Sequence, residues 1–220
     1  MITMDNKLQK HIDLLITRYT CLKKCKDSII EAYEILEKCF ASGNKLLIAG
    51  NGGSSADAEH IAGELLKGFK MQRKCSNEFA ERLKRIDSVR GENLSIKLQG
   101  GLMTIALNNH PGLSTAFIND VPNGGEYVFA QQIYDYGKEG DVFLAISTSG
   151  NSKNIMNASV VAKALGIKII GLTGQEGGEL AIVSDVAIRA PASETYMIQE
   201  LHLPIYHCLC LMLEEHFFGE

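Results

Sequence analysis

No uninterrupted apolar run in this chain approaches the ~18–20 residues a helix needs to cross a bilayer. The opening residues, MITMDNKLQKHIDLL, also lack the unbroken apolar core of a signal peptide. Positive charge is not in excess. With a net charge of -4 and a pI near 5.9, no basic field is available to hold nucleic acid by its phosphates. The six cysteines (Cys21, Cys25, Cys39, Cys75, Cys208 and Cys210) form no CxxC pair, which disfavours a zinc ribbon or a thioredoxin-type site. Free thiols, buried or half-buried in a reducing cytoplasm, are expected instead. The nucleotide-binding fingerprints are missing too: no Gly-Lys-Ser/Thr closes a Walker loop, and the third glycine of the dinucleotide motif is absent. What remains is ordinary for a globular protein. A chain of 220 residues, 45% hydrophobic and 22% charged, suits one large α/β domain.

The chain is organised around residues 45–70, KLLIAGNGGSSADAEHIAGELLKGFK. Residues 46–49 have the composition of a buried strand, residues 50–55 make a glycine-rich turn through Asn51, Gly52 and Gly53, and a helix follows. Glycines let a backbone approach a ligand closely, and Ser54 and Ser55 can donate hydrogen bonds where a helix begins. On the helix, His60 and Glu64 stand four residues apart, so their side chains leave the same face. A loop suited to an anion thus runs into a helix presenting an imidazole and a carboxylate. That points to an enzyme with a small phosphorylated substrate.

A second unit repeats the pattern. Residues 142–146 form a short apolar run of the buried parallel-strand kind. Ser147, Thr148, Ser149 and Ser152 then put four hydroxyls within six residues, before a helix expected to reach 165. Helix capping explains one or two of them; four at a positive helix end suit a phosphate dianion. Further strands are expected at 102–107, 168–172 and 185–190, and further helices at 113–118, 126–136 and about 194–218. This alternation predicts an α/β fold, a doubly wound open parallel sheet flanked by helices, with ligands at the carboxyl ends of the strands.

The N-terminal stretch 7–42 carries apolar residues at helical steps, among them Ile12, Leu15, Leu22, Ile29, Tyr33, Leu36 and Phe40. Ser28 and Glu31 have the form of a capping box, so two helices broken near 26–28 are expected, one long helix being the alternative. So regular a stripe needs cover, expected partly from another subunit, although packing on its own domain would also serve. Between 71 and 99, residues 78–86 suggest a short charged helix and 87–93 a loop. The final helix holds Gln199, Glu200, His202, Pro204 and His207. Its proline removes a backbone hydrogen bond and bends the axis, and the flanking polar residues suggest that the bend shapes a site.

Together GNGGSSADAEH with the following GE, NDV, STSGNS and IQELHLPIYH resemble the sugar-isomerase (SIS) domain family. The resemblance is nearest to the branch that converts sedoheptulose 7-phosphate into D-glycero-D-manno-heptose 7-phosphate for bacterial surface sugars. It runs from about Leu8 to the C-terminus. It implies one SIS domain over 1–220, with 1–43 as a helical oligomerisation region and 71–101 as an insertion. It also implies a cytoplasmic homotetramer with active sites between subunits and one Zn2+ per subunit. Carried over by motif, Asn51, Gly52, Gly53, Ser54 and Ser55 form the first substrate loop. Asn119 and Asp120 contact sugar, and Ser147, Thr148, Ser149 and Ser152 bind phosphate. His60, Glu64, Gln199 and His207 are the implied metal site, with Glu64 and Gln199 also meeting substrate. Two departures stand out: a longer segment between Lys70 and Asn119, and Asp-Val-Pro-Asn-Gly-Gly where Asp-Phe/Tyr-Gly is commoner.

Aldose–ketose isomerisation moves one proton between adjacent carbons and another between their oxygens, through an enediol. Glu64 is the expected carbon base and His207 the acid at oxygen, with the metal as Lewis acid. A carboxylate or imidazole bound tightly to metal is a poor proton shuttle, so these roles compete. Gln199 and His207 also lie about 12 Å apart along a helix, so one metal reaches both only near the Pro204 bend or across subunits; His202 could replace either. The rival readings are a non-catalytic SIS protein that associates with the replication initiator, and an isomerase or sensor of another phosphosugar. The first departs from the enzymes at the final histidine, which this chain has as His207. The absence of an attached DNA-binding or CBS-type segment weighs against a sensor.

Overall fold

A computed structural model describes residues 6–219; Met1 to Asp5, part of the stretch read for a signal peptide, lie outside the described residues. The strands are β1 Leu46–Ala49, β2 Thr104–Ala106, β3 Val142–Ile146, β4 Lys168–Gly174 and β5 Val186–Ala190. The helices are α1 Asn6–Arg18, α2 Lys26–Ala41, α3 Gly53–Leu66, α4 Asn77–Ile86 and α5 Ser88–Lys97, then α6 Pro111–Asp120, α7 Val128–Tyr136, α8 Lys153–Ala164, α9 Gly178–Val183 and α10 Thr195–Phe218.

All five strands are parallel, in the order β2-β1-β3-β4-β5, with Leu46 opposite both Thr104 and Val142. Successive side chains point to opposite faces of a sheet. Leu46 and Ile48 therefore join a core with α1, α2, α3 and α10, while Leu47 and Ala49 join one with α7, α8 and α9. Burial on both faces is why β1 and β3 are apolar throughout. Asp141, with no exposed surface, ties the starts of these two strands. Its carboxylate accepts from the backbone N–H of Lys45 and Lys138 and pairs with Lys45 Nζ at 2.6 Å. The chain leaves β1 for β2 on one side and reaches β3 on the other. The crevice above the carboxyl ends of β1 and β3 is thus the place where the strand order reverses and ligands usually bind. Among the described residues no helix is long and apolar enough to cross a membrane.

Three local expectations are corrected. The break in the N-terminal helix comes earlier than 26–28, as a 3₁₀ stretch Thr20–Cys25 in which Leu22 and Cys25, three residues apart, are both buried. No capping box forms there: Ser28 Oγ donates to the Cys25 carbonyl. Residues 87–93 are not a loop but most of α5. Asp87 caps this helix by accepting from Val89 and Arg90, and Gly91 lets it lie against Leu83, whose backbone a Cβ would meet at 2.4 Å. The stripe on α1 packs on its own domain, the other cover open to it: Leu8, Ile12 and Leu15 are buried in the core shared with α10.

Candidate functional site

The two loops expected to hold ligand lie side by side. Gly50 to Gly52 follow β1, and α3 starts at Gly53, so Ser54 and Ser55 occupy its first turn. Ser54 is buried, and the backbone N–H groups of Ser54 and Ser55 donate to the carbonyls of Asn51 and Gly52. The second loop follows β3. Ser147 is buried with its hydroxyl 3.0 Å from that of Ser152. Ser152 precedes α8 but makes no capping bond, and Ser149 Oγ accepts from the Asn151 N–H. Asn51 and Asn154 exchange amide hydrogen bonds, both at 2.9 Å, which stitches the loops together. Asn108, beyond β2, donates to the Gly50 carbonyl, and its own buried carbonyl oxygen has no partner.

Helix α10 lies alongside α3 and runs the same way. Gly53 faces Gln199: a Cβ there would come within 2.7 Å of Gln199 Nε2, so glycine is what admits the amide. Asp57 accepts from the Tyr206 hydroxyl at 3.2 Å, and Tyr206 also meets His60 Nδ1 at 3.0 Å. Next come His60 and His207, with ring centroids 5.0 Å apart and edge-on. His60 Nε2 stands 3.3 Å from Glu64 Oε1, the same-face pairing expected from their spacing, and Lys67 Nζ reaches Glu64 Oε2 at 3.1 Å. His207 packs on Phe69, and its buried Nε2 has no partner.

The electrostatics follow from burial. His207 is held below the ordinary imidazole range first by desolvation and then by the neighbouring His60, with Glu64 opposing, so its ring is neutral at neutral pH. Asp57 is raised by desolvation, against the pull of Tyr206 and His60. Burial pushes the Tyr206 phenol up, reinforced by Asp57.

The expected zinc is corrected. Among the described residues, no group of three or more His, Cys, Asp or Glu side chains could hold a metal ion. The four implied ligands divide between two levels. Gln199 sits at Gly53, while His60 and Glu64 lie seven and eleven residues further along α3 and His207 eight residues further along α10, about 10–16 Å away at the helical rise. At the second level both His60 nitrogens and both Glu64 oxygens already face protein partners. The residues present do not fit the group.

His202 is not part of this constellation. It has no exposed surface, and its Nε2 meets the Thr173 carbonyl at 3.2 Å. Asn119 and Asp120 end α6 on the surface, hydrogen-bonded to each other. Helix α10 continues through Pro204, which lines a cavity of about 290 Å³ between α1 and α10 together with His11, Leu15, Arg18, Tyr19 and His207. Sequence reasoning missed Asn154, Asn108, Asp57 and Tyr206. Asn154 and Asp57 had a findable signal, each being a polar residue in the first turns of a helix that leaves a glycine- or serine-rich strand-end loop.

A parallel sheet in this order, with two polar loops at its reversal point, defines a doubly wound α/β protein with a ligand crevice between the first and third strands. Two family models, each described as SIS domain, match residues 17–115 and 115–212. Among curated proteins, the chain is 40% identical to the phosphoheptose isomerase of Aneurinibacillus thermoaerophilus, over 98% of this chain and 96% of that one. Its identity to the phosphoheptose isomerase of Geotalea daltonii is also 40%, over 87% and 85%. Among solved structures, a phosphoheptose isomerase from Francisella tularensis matches with a TM-score of 0.71 and 30% identity, covering 92% of this chain and 97% of that one. The chain belongs to the phosphoheptose isomerase family of SIS-domain proteins.

Proposed function

We propose that this protein is an aldose–ketose isomerase that interconverts sedoheptulose 7-phosphate and D-glycero-D-manno-heptose 7-phosphate. The observation that carries the reading is the spacing along α3. The stitched loops lie at the level of Gly53; His207 meets His60 about two turns further on, and Glu64, paired with His60, lies about three turns on, upwards of about 10 Å away. That separation suits a substrate whose phosphate and reacting carbons are at opposite ends of a seven-carbon chain. Ser147, Thr148, Ser149 and Ser152 take the phosphate, and Asn51, Gly52, Gly53, Ser54, Ser55 and Gln199 the chain of the sugar. Asn119 and Asp120 are assigned contacts to its hydroxyls.

Glu64 removes the proton from the carbon beside the carbonyl and returns it to the neighbouring carbon through the enediolate. The His207 imidazole, half-buried and kept neutral by desolvation, donates an N–H to the carbonyl oxygen and shuttles the proton between the two oxygens. His60 is kept in place by Tyr206, itself anchored on Asp57, and buttresses the Glu64 carboxylate. The protein works as a cytoplasmic homotetramer whose active sites lie between subunits. Support for this comes from the cavity between α1 and α10, onto which His207 opens, and from the free thiols. Residues 1–43 serve this assembly, and 71–101 are an insertion in the single domain.

The test is formation of the aldose from sedoheptulose 7-phosphate. Glu64→Gln and His207→Asn should each lower kcat by about 10²–10⁴ with little change in KM. If both variants match the parent, the catalytic assignment is overturned.

A further inference from the structure

Arg73 is the largest side chain among the described residues with essentially no exposed surface, and nothing said so far of the reaction uses it. Its guanidinium makes three directed bonds: Nε to Glu214 Oε1 at 2.9 Å, Nη1 to the Leu65 carbonyl at 2.8 Å and Nη2 to the Glu64 carbonyl at 3.1 Å. The Phe218 ring covers it, 4.6 Å from the guanidinium carbon. Glu214 is as buried as its partner. Besides Arg73 it accepts from the backbone N–H groups of Phe69 and Lys70, both at 2.8 Å.

The last carbonyls of a helix have no partner within it and are normally left to water or a glycine cap. At the end of α3 they are taken by a cation held by a buried carboxylate. Such a pair is poor evidence for stability, because removing two charges from water costs about as much as their attraction returns. What it does give is one fixed geometry, since a planar fork with three acceptors in set directions tolerates little rotation. One of those acceptors belongs to the backbone of Glu64. Arg73 also stands at the neck of the α4–α5 hairpin, where the Gly100 N–H donates to its carbonyl, Lys74 bridges Gln99, and Gln99 Oε1 accepts from the Gly68 N–H.

We propose that Arg73, locked by Glu214, is a positioning residue for the isomerisation: it clamps the final turn of α3 so that the Glu64 carboxylate stays aimed at the reacting carbon. The inference rests on the isomerase reading above. Arg73→Lys keeps the charge but not the fork, so the carbonyls of Glu64 and Leu65 can no longer be held together with Glu214.

The experiment is turnover of sedoheptulose 7-phosphate well below the melting temperature, normalised to folded protein measured by circular dichroism. Arg73→Lys is expected to lower kcat about ten- to a hundred-fold while KM stays within about two-fold, as for a catalytic group misplaced from a distance. In a Glu64→Gln background the same change should alter the residual rate less than about two-fold, because Arg73 acts only through Glu64. Where Arg73→Lys does not fold, Glu214→Gln keeps the shape of the acid and should give the same split. An unchanged kcat per folded molecule, or an equal loss in the Glu64→Gln background, would overturn the proposal and leave Arg73 a structural residue. No turnover by the parent would instead overturn the isomerase reading, and the role given to Arg73 with it.

Discussion

Acid should destabilise this protein through His202, by an amount the structure sets. The ring is shut between α10 and the sheet, where burial pushes its pKa down to about 4 and the Thr173 carbonyl only partly opposes the shift. In the unfolded chain the imidazole titrates near 6.5. Between these two values the unfolded state holds a proton that the folded state does not. Stability is therefore full above about pH 6.5 and falls as the pH drops towards 4. At about 1.4 kcal/mol per unit, the loss attributable to His202 is about 2 kcal/mol by pH 5. His11 and His207 are also held below their ordinary values and act in the same direction. The quantity to read is thus the difference between the parent and His202→Gln, whose amide can still donate to Thr173. Urea unfolding at pH 7 and pH 5 should show the parent losing about 2 kcal/mol more than the variant. In melting temperature this is about 4–8 °C. Equal losses would refute the reasoning.

Asn154→Ala removes both amide bonds to Asn51 and frees the two strand-end loops from each other. At about 1 kcal/mol for each net hydrogen bond, KM for the phosphosugar should rise about ten-fold or more, with kcat less affected; an unchanged KM would show that the loops need no stitch. The cysteines should divide by depth. Cys21 is exposed, whereas Cys25, Cys39, Cys208 and Cys210 are buried, with the Cys25 thiol pushed up to about 11 and those of Cys39 and Cys208 to about 12. A thiol reagent at neutral pH should modify Cys21 at once, Cys75 more slowly and the other four only on unfolding. Rapid reaction of those four in the native protein would contradict the packing.

Several features were legible because they depend on short-range rules. The apolar runs at β1 and β3 fall where the strands are, and the four-residue step from His60 to Glu64 becomes a contact because a helix requires it. Segment 87–93 misled because Asp87, Gly91 and Asn93 are turn-forming in isolation. In the folded chain Asp87 is a helix cap, and Gly91 is the point where α5 meets α4.

By itself the sequence determined the alternation of strand and helix, the two polar loops at strand ends, and the residues able to handle an anion and a proton. These follow from periodicity and from the hydrogen-bonding and acid–base chemistry of single side chains. Only the tertiary structure decided which of those residues meet. The parallel run of α3 beside α10 puts His207 against His60 and leaves Gln199 a level away at Gly53, which divides the expected metal ligands. The same packing buries His202 and closes Arg73 onto the end of α3. Register between two helices distant in the chain is set by how whole faces interlock, and no local spacing encodes it.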